Sequence, residues 1–149
     1  MNRLVACRTD SAIYAKIDRL SRGHTPRVLE LCSGCGGLSL GLKAAGFELV
    51  AHIECDSAAA ESYALNLAPV GDAALPWAVA RDMTKVSPEQ LTKEFGLTGS
   101  SAGNFDVVAA GLPCQAFARI GRSKLRSIGG DEHAFKKDKR ASLYKRFLD

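Results

Sequence analysis

The chain has 149 residues, 46% hydrophobic and 24% charged, with 14 glycines, 5 prolines and a formal net charge of +4. These proportions describe one soluble globular domain and exclude collagen-like, low-complexity and wholly disordered chains; no apolar run reaches the roughly 18 residues of a membrane helix. The charge is uneven, with 10 Lys and Arg against 12 Asp and Glu in residues 1–118 but 10 against 4 in residues 119–149, a basic segment suited to a polyanion such as nucleic acid or to a solvated helix face.

Residues 1–24 read as a helical appendage: Ile13, Ile17 and Leu20 recur at helical spacing after Asp10 and Ser11, and Gly23 is a stop. From Pro26 onward, apolar runs of strand length alternate with helical patterns. Strands are expected at Val28–Leu31, Leu49–Ile53, Trp77–Ala80 and Phe105–Ala110, and helices at Leu38–Ala45, Ser57–Leu67, Pro88–Phe95 and around Arg140–Leu148. Residues 98–104 read as a flexible surface loop by composition. The alternation predicts an α/β fold with a doubly wound, mostly parallel sheet. Four strands are few for such a sheet, so residues 25–149 are expected to be the N-terminal part of a larger catalytic domain.

Glu30-Leu31-Cys32-Ser33-Gly34-Cys35-Gly36-Gly37 closes the first strand and opens a helix. Glycines there let backbone approach a ligand, and a helix start favours a negative group. The spacing is Gly-x-Gly-Gly, with Ser39 where the dinucleotide pattern places its third glycine, which disfavours a nicotinamide cofactor. Glu54, 18 residues after Gly36, ends the second strand where an acid can accept from ribose hydroxyls, and Asp82 is expected to end the third strand likewise. The fourth strand leads into Gly111-Leu112-Pro113-Cys114-Gln115; Pro113 stiffens the turn and presents Cys114, a candidate nucleophile, at the same sheet edge. A buried small hydrophobe is the plain alternative for that cysteine.

The five cysteines, at 7, 32, 35, 55 and 114, are odd in number, and no signal peptide opens the chain, so a reducing, cytoplasmic location is expected. Cys32-x-x-Cys35 also fits a redox pair or half of a zinc site, but isolated Cys55 and Cys114 make poor further ligands, and no metal is expected. His24, His52 and His133 show no ligand spacing and are expected to be structural or surface residues; Trp77 is expected in the core.

Taken together, these motifs resemble those of the DNA (cytosine-5) methyltransferases, from about Arg27 to Asp149. Residues 30–37 with Gly41 look like the family's first motif, Glu54-Cys55-Asp56 its second, Arg81-Asp82-Met83 its third, Pro113-Cys114-Gln115 with Phe117 its catalytic motif, and Asp138-Lys139-Arg140 with Leu143 its fifth. The resemblance implies a Rossmann-like fold that binds S-adenosyl-L-methionine and releases S-adenosyl-L-homocysteine. It assigns cofactor contacts to Leu31, Cys32, Ser33, Gly34, Cys35, Gly36, Gly37, Glu54, Cys55, Asp82, Met83, Gly111 and Pro113. It assigns catalysis to Cys114 with Pro113 and Gln115, and contact with double-stranded DNA to Gln115, Phe117, Arg119, Arg122, Lys124 and Arg126. Cys32 replaces a frequent phenylalanine, and Ala116 and Ala118 replace the usual proline and serine. The family's later motifs and its target recognition domain are not represented. The resemblance therefore implies a fragment, or one part of a split prokaryotic restriction-modification enzyme completed by a second chain and inactive alone. A non-catalytic module that binds cofactor or a partner is the alternative.

Overall fold

The computed structural model describes residues 6–113, 118, 123, 124, 126–128 and 139–148. Helix α1 (Ala6–Ser21) precedes β1 (Arg27–Leu31), α2 (Gly37–Ala44), β2 (Glu48–Ile53) and α3 (Ser57–Leu67). A 3-10 helix (Asp72–Ala78), α4 (Pro88–Glu94), the single-turn α5 (Ser101–Asn104) and β3 (Val107–Ala110) follow. A second 3-10 turn (Lys139–Ser142) leads into α6 (Leu143–Leu148). Among the described residues the sheet has three strands in the order β2-β1-β3, and both pairings are parallel. The fold is thus α/β and Rossmann-like, with β1 at the centre.

Local chemistry explains the boundaries. Asp56 caps α3 by accepting the Ala59 amide at 2.9 Å, and Ser87 caps α4 by accepting that of Gln90 at 3.1 Å, ahead of Pro88 in the first turn. Glu30 and His52 are register partners that turn to the face bearing Tyr63 of α3. Leu29, Leu31, Ala51 and Ile53 pack instead with Met83, Val86, Leu91 and Phe105, and Phe147 of α6 rests against that cluster. Helices thereby cover both faces of the parallel sheet, one packed by apolar side chains and the other carrying the buried Glu30 and His52.

Two expectations are corrected. Trp77–Ala80 is not a strand: its first residues end the 3-10 helix, and Val79 and Ala80 are exposed. Pro76 has no N–H to give a sheet ladder, and Trp77 is buried against Tyr63 and Phe95 rather than beside another strand. Residues 98–104 are not loop throughout, because Ser101–Asn104 forms a helical turn in which the Ser100 hydroxyl accepts the Gly103 amide.

The amino-terminal edge of the sheet is clasped by charge. The buried Asp106 carboxylate pairs with Arg19 of α1 and accepts the Arg27 amide at 2.7 Å, while the Arg27 guanidinium donates to the Gly103 carbonyl at 2.5 Å. Burial pushes the Asp106 carboxyl up, but the Arg27 amide and the two guanidinium groups outweigh it and hold it below the ordinary aspartate value.

Candidate functional site

The turn after β1 requires unusual backbone. Cys32, Gly34 and Gly36 all lie at positive φ, 52°, 54° and 91°. Gly36 is needed twice over, since a Cβ there would stand 2.5 Å from Leu67 Cδ1 and 3.0 Å from Tyr63 Cδ2. β2 holds the turn through the Ser33 amide, which donates to the Ile53 carbonyl at 3.2 Å. The Gly111 amide donates to the Leu31 carbonyl at 3.0 Å, and a Cβ on Gly111 would meet the Cys32 carbonyl oxygen at 3.1 Å. The exits of β1 and β3 therefore run against each other, and residues 111–113 follow at this edge.

Glu54 stands at the end of β2, half-buried, and its two carboxylate oxygens accept the amides of Gly34 at 2.8 Å and Asp56 at 2.9 Å. Each oxygen keeps a further lone pair, so the group is aimed yet still able to accept. Asp82 reaches the same edge without a strand beneath it: the Arg81 amide donates to the Glu54 carbonyl at 2.6 Å. The Thr84 hydroxyl and amide bind one Asp82 oxygen at 2.7 and 2.9 Å, and Lys85 stands 3.6 Å from the other. Together these hold Asp82 below the ordinary aspartate value, with Thr84 the larger influence.

Cys32 Sγ lies 3.5 Å from Met83 Sδ, a soft apolar wall beside the two acids. Burial, and then the negative charge of Glu54, push the Cys32 thiol up to about 11, so it is a protonated thiol near neutrality and not an activated redox nucleophile. Cys32, Cys35 and Cys55 are free thiols, and among the described residues no group of three or more His, Cys, Asp or Glu could hold a metal ion. An apolar cavity of about 320 Å³ adjoins this edge, walled by Leu31, Ile53, Met83, Val86 and Phe147; Glu54, Asp82 and the glycine turn do not line it.

Beneath the turn runs a buried polar network that sequence reading missed. Ser39 donates to Glu30, Tyr63 OH lies 2.7 Å from Ser39 Oγ, and His52 stacks on Tyr63 with centroids 3.8 Å apart. Burial raises the Glu30 carboxyl and pushes the Tyr63 phenol up to about 12. Arg81, also buried, donates to the Pro76 and Val79 carbonyls at 2.7 and 2.8 Å and pairs with Glu94 at 2.6 Å, fixing the segment that carries Asp82 and Met83. Arg146 of α6 grips the same segment through the Met83 and Val86 carbonyls at 3.1 and 3.0 Å. The Glu30–Ser39, Ser33–His52 and His52–Trp77 pairings join residues 9 to 25 positions apart, and no periodicity in the chain marks the layer.

Of the expected site residues, 31–37, Glu54, Cys55, Asp82, Met83, Gly111 and Pro113 are described, and hydrogen bonds or packing join most of them at one edge. Cys35 and Cys55 are exposed there. Lys124 and Arg126 are described and exposed. Cys114, Gln115, Phe117, Arg119 and Arg122 lie outside the described residues.

Comparison with known proteins gives one answer. Residues 26–144 match the family described as C-5 cytosine-specific DNA methylase. The chain is 35% identical over 131 residues to M.OihORF3336P of Oceanobacillus iheyensis, which carries a type II methyltransferase name, covering 83% of this chain and 25% of that protein. It is 31% identical over 100 residues to the type II methyltransferase M.XorII of Xanthomonas oryzae pv. oryzae, covering 67% and 22%. The type II methyltransferase M.NgoFVII of Neisseria gonorrhoeae is 30% identical over 128 residues, covering 86% and 27%. The chain thus spans about a quarter of the length of these curated relatives. No solved structure gives a significant match. No helix among the described residues is long and apolar enough to cross a membrane.

Proposed function

The chain belongs to the C-5 cytosine-specific DNA methylase family, and from that premise we propose that it contributes the cofactor half and the nucleophile of a cytosine-5 methyltransferase acting on double-stranded DNA in restriction-modification. In this reading residues 1–24 are a helical appendage, residues 25–149 are the N-terminal part of the catalytic domain, and the protein works in the cytoplasm. The observation that carries it is the edge formed by Gly34, Glu54 and Asp82 beside the Cys32–Met83 wall.

The donor set suits S-adenosyl-L-methionine. Glu54, aimed by two amides with acceptor capacity left, would hold the ribose diol; Asp82 would take the adenine amino group; Cys32 and Met83 would flank the ring. The turn from Leu31 to Gly37, with Cys55, Gly111 and Pro113, would complete the cradle. When bound, this cofactor supplies an electrophilic methyl group on a sulfonium. The chain's own chemistry rests on Cys114, whose thiolate adds to C6 of a cytosine flipped out of the duplex and raises electron density at C5. After C5 is methylated and its proton lost, the Cys114–C6 bond breaks and the thiolate returns. Pro113 and Gln115 orient this group, and Phe117, Arg119, Arg122, Lys124 and Arg126 grip the DNA.

A labelled-methyl transfer assay on duplex DNA tests the reading, with the chain alone and with a second chain supplying the family's later motifs. Transfer is expected in the completed system and lost with Cys114→Ser; transfer that survives Cys114→Ser overturns the assignment. A non-catalytic module that binds cofactor or a partner chain is the second reading, favoured by the outer edge of β3, which pairs with no strand among the described residues and could dock a partner. It predicts binding of cofactor or partner with no transfer in either arrangement.

A further inference from the structure

We propose that His52 is a positioning residue for the glycine turn: the Trp77 carbonyl fixes its tautomer, and that tautomer holds the Ser33 hydroxyl and registers the turn to the end of β2. The inference rests on the reading of this turn as the cofactor cradle. His52 Nε2 lies 2.7 Å from the Trp77 carbonyl oxygen and Nδ1 lies 2.8 Å from Ser33 Oγ. A carbonyl oxygen only accepts, so Nε2 carries the proton; in a neutral imidazole Nδ1 is then a bare acceptor, and the Ser33 hydroxyl must donate to it.

Everything around the ring enforces this state. His52 is fully buried, stacked within 2° of parallel on Tyr63, 5.6 Å from Trp77 and edge-on to Phe95 at 6.2 Å. A ring flip would put carbon against both the carbonyl and the hydroxyl. Burial pushes the imidazole down to about 4; Arg81 adds to this, while the Trp77 hydrogen bond and Glu54 work against it, and Glu30 lies beside it as its register partner on β1. The ring therefore stays neutral at physiological pH.

Ser33 is consequently held twice by neighbouring residues of β2, its hydroxyl by His52 and its amide by Ile53. The next residue along each strand exit forms the Gly34–Glu54 contact. The imidazole therefore sets where the turn sits relative to the carboxylate, though it reaches no ligand itself. It also ties the 3-10 helix that ends at Ala78 to the turn, so displacement of Trp77 is transmitted to Ser33.

The test has three readouts on the whole chain. Long-range proton–nitrogen spectra of nitrogen-15 histidine are expected to show His52 as the Nε2–H tautomer from pH 5 to 8; an Nδ1–H tautomer, or an imidazolium at pH 6, overturns the proposal. Without cofactor, Ser33→Ala and His52→Phe are each expected to speed amide exchange at Gly34 and Gly36 about fivefold relative to Val28 and Ile53, the effect of one lost neutral hydrogen bond. The double variant should be no faster than the faster single variant, and additive effects overturn the relay. Where His52→Phe does not fold, His52→Gln takes its place, and Ser33→Ala leaves the Trp77 bond intact. The dissociation constant for S-adenosyl-L-methionine should rise about fivefold with the same non-additivity. Faster exchange with unchanged affinity overturns the positioning role. A wild-type chain that binds no cofactor overturns the cofactor reading instead, and the first two readouts still decide the relay.

Discussion

Glu54 accepts the backbone N–H of Gly34 at 2.8 Å, a contact that spans 20 residues of sequence and joins the exits of β1 and β2. With the Asp56 amide on the other oxygen at 2.9 Å, it fixes the carboxylate to the glycine turn while leaving each oxygen a further acceptor site. Gly36 provides the tight turn, Ser33 the attachment to β2, and Arg81 brings Asp82 to the same place.

The conformational demand at Gly36 is directly measurable. Gly36→Ala imposes a left-handed conformation on an alanine and drives its Cβ into Leu67, so we expect a loss of about 3 kcal/mol in urea denaturation. Gly34→Ala, with open space around its Cβ, should cost about 1 kcal/mol.

His52 predicts the acid side of the stability profile. Its folded-state value is about 4, below its ordinary value near 6.5, so the unfolded chain binds the extra proton between those limits. The stabilisation is complete above pH 6.5 and is lost as pH falls towards 4, by about 3 kcal/mol. Glu30 works the other way, since its raised value favours protonation in the folded state. The difference between wild type and His52→Gln, followed by denaturant midpoints from pH 7 to 4, isolates the histidine: the wild type should lose stability relative to the variant over that window.

The clasp at the opposite edge makes its own prediction. Asp106→Asn leaves the Arg19 and Arg27 guanidinium groups facing a neutral amide, at an expected cost of about 3 kcal/mol. The same contribution in the wild type is present at neutral pH and lost as pH falls through the depressed Asp106 value. Faster amide exchange in α1 than in β2 of the variant would locate the loss at the clasp.

Thiol chemistry separates the site from a redox pair. Cys35 and Cys55 are exposed, whereas Cys32 is half-buried with its thiol pushed up to about 11. Iodoacetamide at pH 8 should alkylate Cys35 well before Cys32, with Cys55 between them because it is exposed but burial and Glu54 raise its thiol too, as followed by peptide mass spectrometry. Equal protection of Cys32 and Cys35 that is relieved by a reductant would contradict this.

Much of the frame was legible because periodicity and caps report local forces. Ser57–Leu67 has the predicted bounds, and Pro88 after Ser87 starts α4 where expected. Trp77–Ala80 misled because an apolar run signals burial but not its partner, and Pro76 and the Trp77–Tyr63 packing chose a 3-10 helix. The site's acids and glycines were visible as residue types at strand ends. The layer beneath them was not: His52, Ser39 and Arg81 are polar residues buried by contacts 9 to 25 residues away, and such pairings leave no period in the chain.

Calorimetric titration of the chain with S-adenosyl-L-methionine, run beside Glu54→Ala, tests the cofactor cradle most directly. Binding by the wild type is expected, with a loss of about 2 kcal/mol in the variant, the worth of charge-assisted hydrogen bonds to the ribose. No binding at millimolar cofactor, or binding that Glu54→Ala leaves unchanged, would contradict this reading of the site.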